Sequence, residues 1–225
     1  MDGEAQSFDT EAARYDAWFD SPHGRVLFAN EVAALRTLWP GPPRPALEIG
    51  VGTGRFAQAL GVEHGADPAA GAIALAAARG IDATRARGEA LPFADASFAG
   101  VLLVTTLGFT SDPAAVVREA ARVLRPAGRL LIGEIPRESA WGRSCAAKQR
   151  AGDPFFRGLR QFSVEEIAAL LAQAGLESAG FASTLIRSAP GAPCVEPPQP
   201  GRSDAAGFVA MLAVKRARGA TAPGR

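Results

Sequence analysis

Strand and helix signals alternate along the 225 residues, and this alternation predicts an α/β fold. The expected sheet has seven strands, mostly parallel, with helices on both faces and an antiparallel hairpin at one edge. Three observations carry the prediction. Ala46 to Ile49 is a short apolar run that ends in a glycine-rich turn opening a helix. Phe98 to Thr105 is an apolar run fit for a central strand buried on both faces. Asp67-Pro68 and Asp112-Pro113 each read as a helix start, with Asp as N-cap and Pro at the first helical position.

Residues 8–39 come first and read as a helical cap, with Trp18, Phe19, Val26, Leu27, Leu35 and Leu38 as buried positions. Gly41 to Pro45 is a proline-rich stop. Ala46 to Ile49 is the first strand, and Gly61 to Ala66 holds the second. Ala69 to Arg79 is a helix ended by Gly80. Ile81 to Ala86, Phe98 to Thr105 and Arg129 to Glu134 are strands, with Pro126-Ala127-Gly128 as the turn before the last. The helix after Asp112 runs to Leu124. Ser163 to Glu166 is a capping box for a helix that stops at Gly175. Ala182 to Ile186 and Gly207 to Val214 complete the sheet. Residues 188–203, rich in proline, read as a loop, and 216–225 as a disordered tail. Residues 1–215 are thus expected to form one domain.

Composition narrows the function. Hydrophobic residues make up 48% of the chain, enough for a sizeable core, and the net charge is +1. Bulk charge therefore gives no reason to expect nucleic acid or an anionic membrane as partner. No apolar run approaches the roughly 20 residues that span a bilayer. The acidic N-terminus lacks an apolar signal core. Cys145, Cys194, His23 and His64 fall at no metal-ligand spacing, so no metal is expected. A cytoplasmic protein, monomer or homodimer, is the expectation.

Residues 46–56 read ALEIGVGTGRF. Gly50, Gly52 and Gly54 alternate after a strand that carries Glu48. Glycine lets backbone approach a ligand closely and adopt positive φ, and a strand–glycine turn–helix unit is where nucleotide-like cofactors bind. The dinucleotide spacing G-x-G-x-x-G fails here, because its third glycine would fall on Arg55 or Ala57. The pattern present, E-x-G-x-G-x-G, resembles motif I of the class I S-adenosylmethionine-dependent methyltransferases. Three more landmarks match in order: GADP at Gly65 to Pro68, EALPFADASF at Glu89 to Phe98, and RVLRPAGRLLI at Arg122 to Ile132. The resemblance covers Phe8 to Val214. It is to the subgroup containing the ubiquinone- and menaquinone-biosynthesis C-methyltransferases, and it implies a Rossmann-like sheet.

The resemblance implies S-adenosylmethionine as cofactor and S-adenosylhomocysteine as product. Gly50, Gly52 and Gly54 would line the amino-acid end of the cofactor, and Glu48 would hold the turn and the methionine ammonium. Asp67, followed by Pro68, would accept from both ribose hydroxyls. Gly88, Glu89 and Ala90 would pass the adenine, with Leu91 packed on it. Thr105 would face the sulfonium, and Tyr15 would close over the cofactor, unless it merely packs the N-terminal segment down. Two positions depart from the family. Arg87 stands where Asp or Asn often meets the adenine amino group, and Ser97-Phe98-Ala99 replaces S-F-D.

The implied reaction is direct in-line displacement of the sulfonium methyl by a small-molecule acceptor. Alignment of two reactants can supply about 7–11 kcal/mol. The N/D-P-P-Y/F signature of DNA amino-methyltransferases is absent, since the strand ends in Thr105-Thr106-Leu107. No catalytic base stands out. His23 lies in a Ser-Pro-His-Gly turn that reads as surface loop, His64 sits beside a strand, and Cys145 has no visible base partner. Residues 136–162 interleave Arg137, Arg143, Lys148, Arg150, Arg157 and Arg160 with aromatics. They read as a lid favouring an anionic acceptor group, or equally as a solvated basic face. Two rival functions share the fold: a non-catalytic relative and a nicotinamide-dependent oxidoreductase.

Overall fold

The computed structural model describes residues 11–216. Helices span residues 11–18 (α1), Pro22–Leu38 (α2), Arg55–Leu60 (α3), Ala70–Ala78 (α4), Pro113–Val123 (α5), Ala140–Arg150 (α6) and Val164–Gln173 (α7). Strands are Ala46–Ile49 (β1), His64–Asp67 (β2), Asp82–Arg85 (β3), Phe98–Val104 (β4), Leu124–Glu134 (β5), Leu176–Thr184 (β6), Gln199–Pro200 (β7) and Phe208–Lys215 (β8). Residues 8–10 of the expected cap and 217–225 of the expected tail lie outside the described residues. Arg216 is described, and its guanidinium pairs with Glu177.

One sheet runs in the order β3-β2-β1-β4-β5-β8-β6-β7. The first five strands are parallel. β8 is antiparallel to both β5 and β6. The chain moves outward from β1 through β2 to β3 and then returns to β4 on the other side of β1. That reversal opens a crevice at the carboxyl ends of β1 and β4.

The central strands are apolar because both their faces are covered. Successive side chains alternate between two cores. Val101 and Leu103 join Val116, Val117, Ile167 and Leu171 under α5 and α7. Leu102 and Val104 join Leu35, Trp39 and Phe56 under α2 and α3.

Several expectations change. Among the described residues the sheet has eight strands, not seven. The extra one, β7, pairs Gln199 and Pro200 with Ser183 and Ala182 inside the segment read as loop. Proline is tolerated there because the strand lies at the edge. The antiparallel edge is present as expected, with β6 and β8 paired; β8 lies on its inner side, next to β5, and β7 is the outermost strand. β6 starts at Leu176 rather than Ala182. Its first half, LESAG, is small and polar, lies mostly exposed and carries a register shift at Ser178/Gly180. β5 likewise runs from Leu124 through the expected turn, where Ala127 takes φ +61°.

At the N-terminus the chain breaks into two helices. Ser21 Oγ accepts the Gly24 amide at 3.0 Å and Pro22 follows, so the expected loop around His23 is a capped helix start. β2 begins at His64 because Gly61 terminates α3 with φ +75°. Asp67 is not the cap of α4: that helix starts at Ala70 after Ala69, whose side chain caps nothing. Residues 136–162 hold α6, capped by Ser139, and a 3₁₀ turn at Pro154–Phe156.

Candidate active site

At the crevice, β1 passes into the glycine turn with Gly50 at φ +71°, Gly52 at +52° and Gly54 at +84°. The three glycines do different work. A Cβ on Gly50 would lie 2.3 Å from Thr106 Cγ2, so this glycine lets the β1 and β4 loops touch. Gly54 packs on α4, where a Cβ would sit 3.0 Å from the Ala76 Cα. Gly52 has no atom within 4 Å of its missing Cβ, and that open side faces a cavity.

The cavity measures about 300 Å³. Its floor is the ends of β1, β4 and β5. Its walls come from α1, α2, α6 and the 3₁₀ turn at Pro154–Phe156. Of the residues expected at the site, Tyr15, Gly50, Gly52, Asp67, Pro68, Gly88, Glu89 and Thr105 line it. Glu48 borders a smaller adjoining hollow, together with Tyr15, Gly52 and Thr105. Gly54, Ala90 and Leu91 line neither; Leu91 is buried in the core.

Asp67 Oδ2 accepts the Gly52 amide at 2.9 Å and Oδ1 accepts the Ala69 amide at 2.9 Å. The carboxylate is thereby held at the cavity edge by backbone on both sides. Glu48 is 1% exposed, and among the described residues its Oε2 has no hydrogen-bond partner. Burial drives its carboxyl well above the usual range, against an amide hydrogen bond from Ala57. An orphaned carboxylate oxygen beside a hollow is suited to a buried ammonium. Thr105 takes φ +48°, and its amide donates to the Gly133 carbonyl at 2.8 Å.

Arg87 and Glu89 stand at the mouth. Arg87 Nη2 donates to Ser111 Oγ at 2.9 Å and lies 3.5 Å from Glu89 Oε1. Glu89 Oε1 also accepts from the Ser111 amide at 3.0 Å. These contacts hold the Arg87 guanidinium at the exposed rim.

α1 is strapped over the cavity by charge. Asp16 Oδ1 meets Arg55 Nε at 2.8 Å, and Oδ2 meets Arg79 Nη2 at 2.8 Å. Burial raises the Asp16 carboxyl, but hydrogen bonds from Arg55, Thr53 and Arg79 outweigh it and bring it to about 2. The adjacent Tyr15 turns inward, and its hydroxyl is pushed above the usual range by burial and then by Glu31, Glu48 and Asp67.

Sequence reasoning missed two cavity-lining acids. Glu31 on α2 is 7% exposed, and burial pushes its carboxyl up to about 8. Glu134 ends β5, and burial takes it to about 8 against the pull of the Ile135 and Leu107 amides. Each had a signal. Glu31 interrupts an apolar helical stripe, and LLIGE repeats the acid-at-strand-end pattern of LEIG.

The remaining candidates separate cleanly. His23 lines the cavity between Trp18 and Trp141, and its imidazole is depressed by burial and by Lys148. Cys145 also lines it, but burial raises the thiol to about 11, which suits no nucleophile. His64 instead bonds Asp82 at 3.0 Å, across the β2–β3 pair. Of the basic segment, Arg137 pairs with Glu166 outside the cavity, whereas Lys148 and Arg160 stack over Phe156 and Phe162 at its rim. The cavity interior is acidic, so the expected preference for an anionic group finds no support there. Among the described residues no group of His, Cys, Asp and Glu could hold a metal ion, and no helix is long and apolar enough to cross a membrane.

Residues 47–132 match the family described as Methyltransferase domain. An uncharacterised protein of Mycobacterium tuberculosis is 44% identical over 209 residues, covering 92% of this chain and 73% of that protein. A demethylmenaquinone methyltransferase of Beutenbergia cavernae is 29% identical over 201 residues, 79% of this chain and 84% of the enzyme. A crystal structure from Thermotoga maritima, described as a SAM-dependent methyltransferase and possible histamine N-methyltransferase, superposes with TM-score 0.86. It is 32% identical, over 95% of this chain and 100% of that one.

Proposed function

Because this chain belongs to the S-adenosylmethionine-dependent methyltransferases, we propose that it carries a methyl group to a small-molecule acceptor by direct in-line displacement. S-adenosylmethionine, when bound, supplies a methyl already activated by its positive sulfonium. The task left to the protein is to hold the two reactants in line and keep water out.

The observation that carries the reading is the buried, partnerless Oε2 of Glu48 beside the open side of Gly52. Glu48 would receive the methionine ammonium, and the glycine-turn amides its carboxylate. Asp67, already oriented by two backbone amides, would accept from the ribose diol. Gly88 and Glu89 would flank the adenine, Thr105 would face the sulfonium, and Tyr15 would close the cofactor in. Residues 136–162 would act as a cover over the acceptor, through α6 and the 3₁₀ turn. The relatives support a small acceptor: the names of the Thermotoga and Beutenbergia proteins point to histamine and demethylmenaquinone.

Calorimetric titration with S-adenosylmethionine, S-adenosylhomocysteine and, as control, NAD tests this reading. Binding of the first two and not of NAD is expected. Failure of both to bind would overturn it.

A further inference from the structure

The methyl-transfer reading leaves the acceptor's chemistry open, and any assignment of the acceptor rests on that reading. Glu31 and Glu134 arrive from different elements, α2 and the end of β5, and line the same cavity. Both act electrostatically on the Cys145 thiol, which lines the cavity with them. Glu134 follows Gly133, whose carbonyl accepts the Thr105 amide at 2.8 Å, so it stands beside the end of β4. Glu31 lies on the α2 stripe that also presents His23 and Leu27, at i, i+4 and i+8.

Among the described residues neither carboxyl has a counter-charge. Burial is the single influence on Glu31, and no cation lowers Glu134. Glu134 Oε1 is fully buried with no hydrogen-bond partner among the described residues. The basic side chains lining the cavity, Arg87, Lys148 and Arg160, are exposed: Lys148 and Arg160 stand over aromatic rings, and Arg87 is held at the mouth by Ser111 and Glu89. Buried carboxyls without a counter-charge are costly, and a cationic ligand would remove that cost. Trp18 and Trp141, both lining the cavity, offer ring faces that attract cations.

We infer that the acceptor is a small amine with an apolar body, its ammonium group recognised by Glu31 and Glu134 against the Trp18 and Trp141 rings. The same carboxylates receive the proton the amine must lose. One ammonium proton passes to a carboxylate, and the freed nitrogen lone pair forms the N–C bond. The C–S bond breaks with its electrons going to sulfur, the product leaves as the methylated ammonium, and the carboxyl returns its proton to solvent. Other titratable groups facing this pair are Tyr15 on α1, His23 on α2, and Cys145 and Lys148 on α6.

The test is calorimetry on protein saturated with S-adenosylhomocysteine. 2-Phenylethylamine, tryptamine and butylamine are compared with 2-phenylethanol and 3-phenylpropanoate. At least one amine is expected to bind about tenfold or more tighter than the alcohol. Binding should release protons, read from the difference in heat between phosphate and Tris buffers. Glu31→Gln and Glu134→Gln should each shrink the amine preference while leaving S-adenosylhomocysteine affinity unchanged. With S-adenosylhomocysteine bound, equal or weaker binding of every amine relative to the alcohol or carboxylate overturns the amine inference and leaves the methyl-transfer reading intact. Persistence of the full preference in both variants overturns the assignment of these residues. Should the variants lose S-adenosylhomocysteine binding, the wild-type amine-against-alcohol comparison decides alone. Absence of S-adenosylhomocysteine binding to wild type sinks the methyl-transfer reading, a separate result.

Discussion

The Asp67 carboxylate and the Gly52 amide are joined at 2.9 Å, which ties the end of β2 to the middle of the glycine turn. The bond fixes where a ribose would meet the acid. Asp67→Asn presents one oxygen where two now accept, so one of the two backbone bonds is lost. The expected stability cost is about 1 kcal/mol. S-adenosylhomocysteine affinity should fall about tenfold or more, because the charged acceptor for the diol is gone. Titration and a thermal melt together check this, and wild-type affinity in the variant would refute the ribose role.

Gly50 and Gly52 should respond differently to alanine. Both pay roughly 1 kcal/mol for positive φ. At Gly50 the new methyl also collides with Thr106, so Gly50→Ala should lower the melting temperature markedly. Gly52→Ala meets open space and should melt close to wild type yet bind cofactor poorly. A Gly52→Ala protein with unaltered S-adenosylmethionine affinity would mean that the open side is not the cofactor's.

Glu48→Gln keeps the shape and removes a carboxyl that can ionise to meet an ammonium. The cofactor-free variant should be as stable as wild type or more so, since an orphaned buried carboxyl is a liability without its ligand. Its S-adenosylmethionine affinity should drop about tenfold or more. Stability and affinity moving in opposite directions is the signature to look for.

Asp16→Asn should loosen α1. Its charged bonds to Arg55 and Arg79 are largely buried, and their loss should cost about 2 kcal/mol. Limited proteolysis should then cut nearer the N-terminus, and cofactor should leave faster. The Asp16 carboxyl is held down at about 2, below its unfolded value of 3.8. Its contribution is therefore present above pH 4 and fades as pH falls toward 2.

Glu31 and Glu134 act in the other direction. Their carboxyls sit at about 8 in the folded chain and near 4.5 when unfolded. The folded state holds protons that the unfolded state has released, so stability is full below pH 4.5 and lost as pH rises through 8. The slope is at most about 1.4 kcal/mol per pH unit for each group. His23, depressed from 6.5, opposes this by favouring the folded state as pH rises. Melts of the cofactor-free protein from pH 5 to 8 should decline, and the Glu31→Gln, Glu134→Gln double variant should flatten the curve. An identical decline in both would show that other groups cause it.

Much of the framework was legible because local physics and tertiary role coincide. Apart from Glu48, β1 and β4 are apolar because they lie in the middle of the sheet. The alternating glycines announce positive φ, which few other residues accept. β6 and β7 were harder to see. They form the far margin of the sheet, where LESAG and QP need only pair by backbone and carry no apolar alternation. The break at Ser21 was hidden because serine and proline serve a turn and a helix start equally well.

The order of strand and helix signals, the glycine turn with Glu48, and the motif spacing determined the fold class and the cofactor family, since each depends on residues close in sequence. What only the tertiary structure decided is which side chains share one space. It sent Gly54 to pack on α4 and Gly52 to face the cavity, and it strapped Tyr15 over the site through Asp16. It also brought Glu31 and Glu134, more than a hundred residues apart, into the lining of one cavity. Convergence of that kind has no local signature, because it depends on which helix faces the carboxyl edge of which strand.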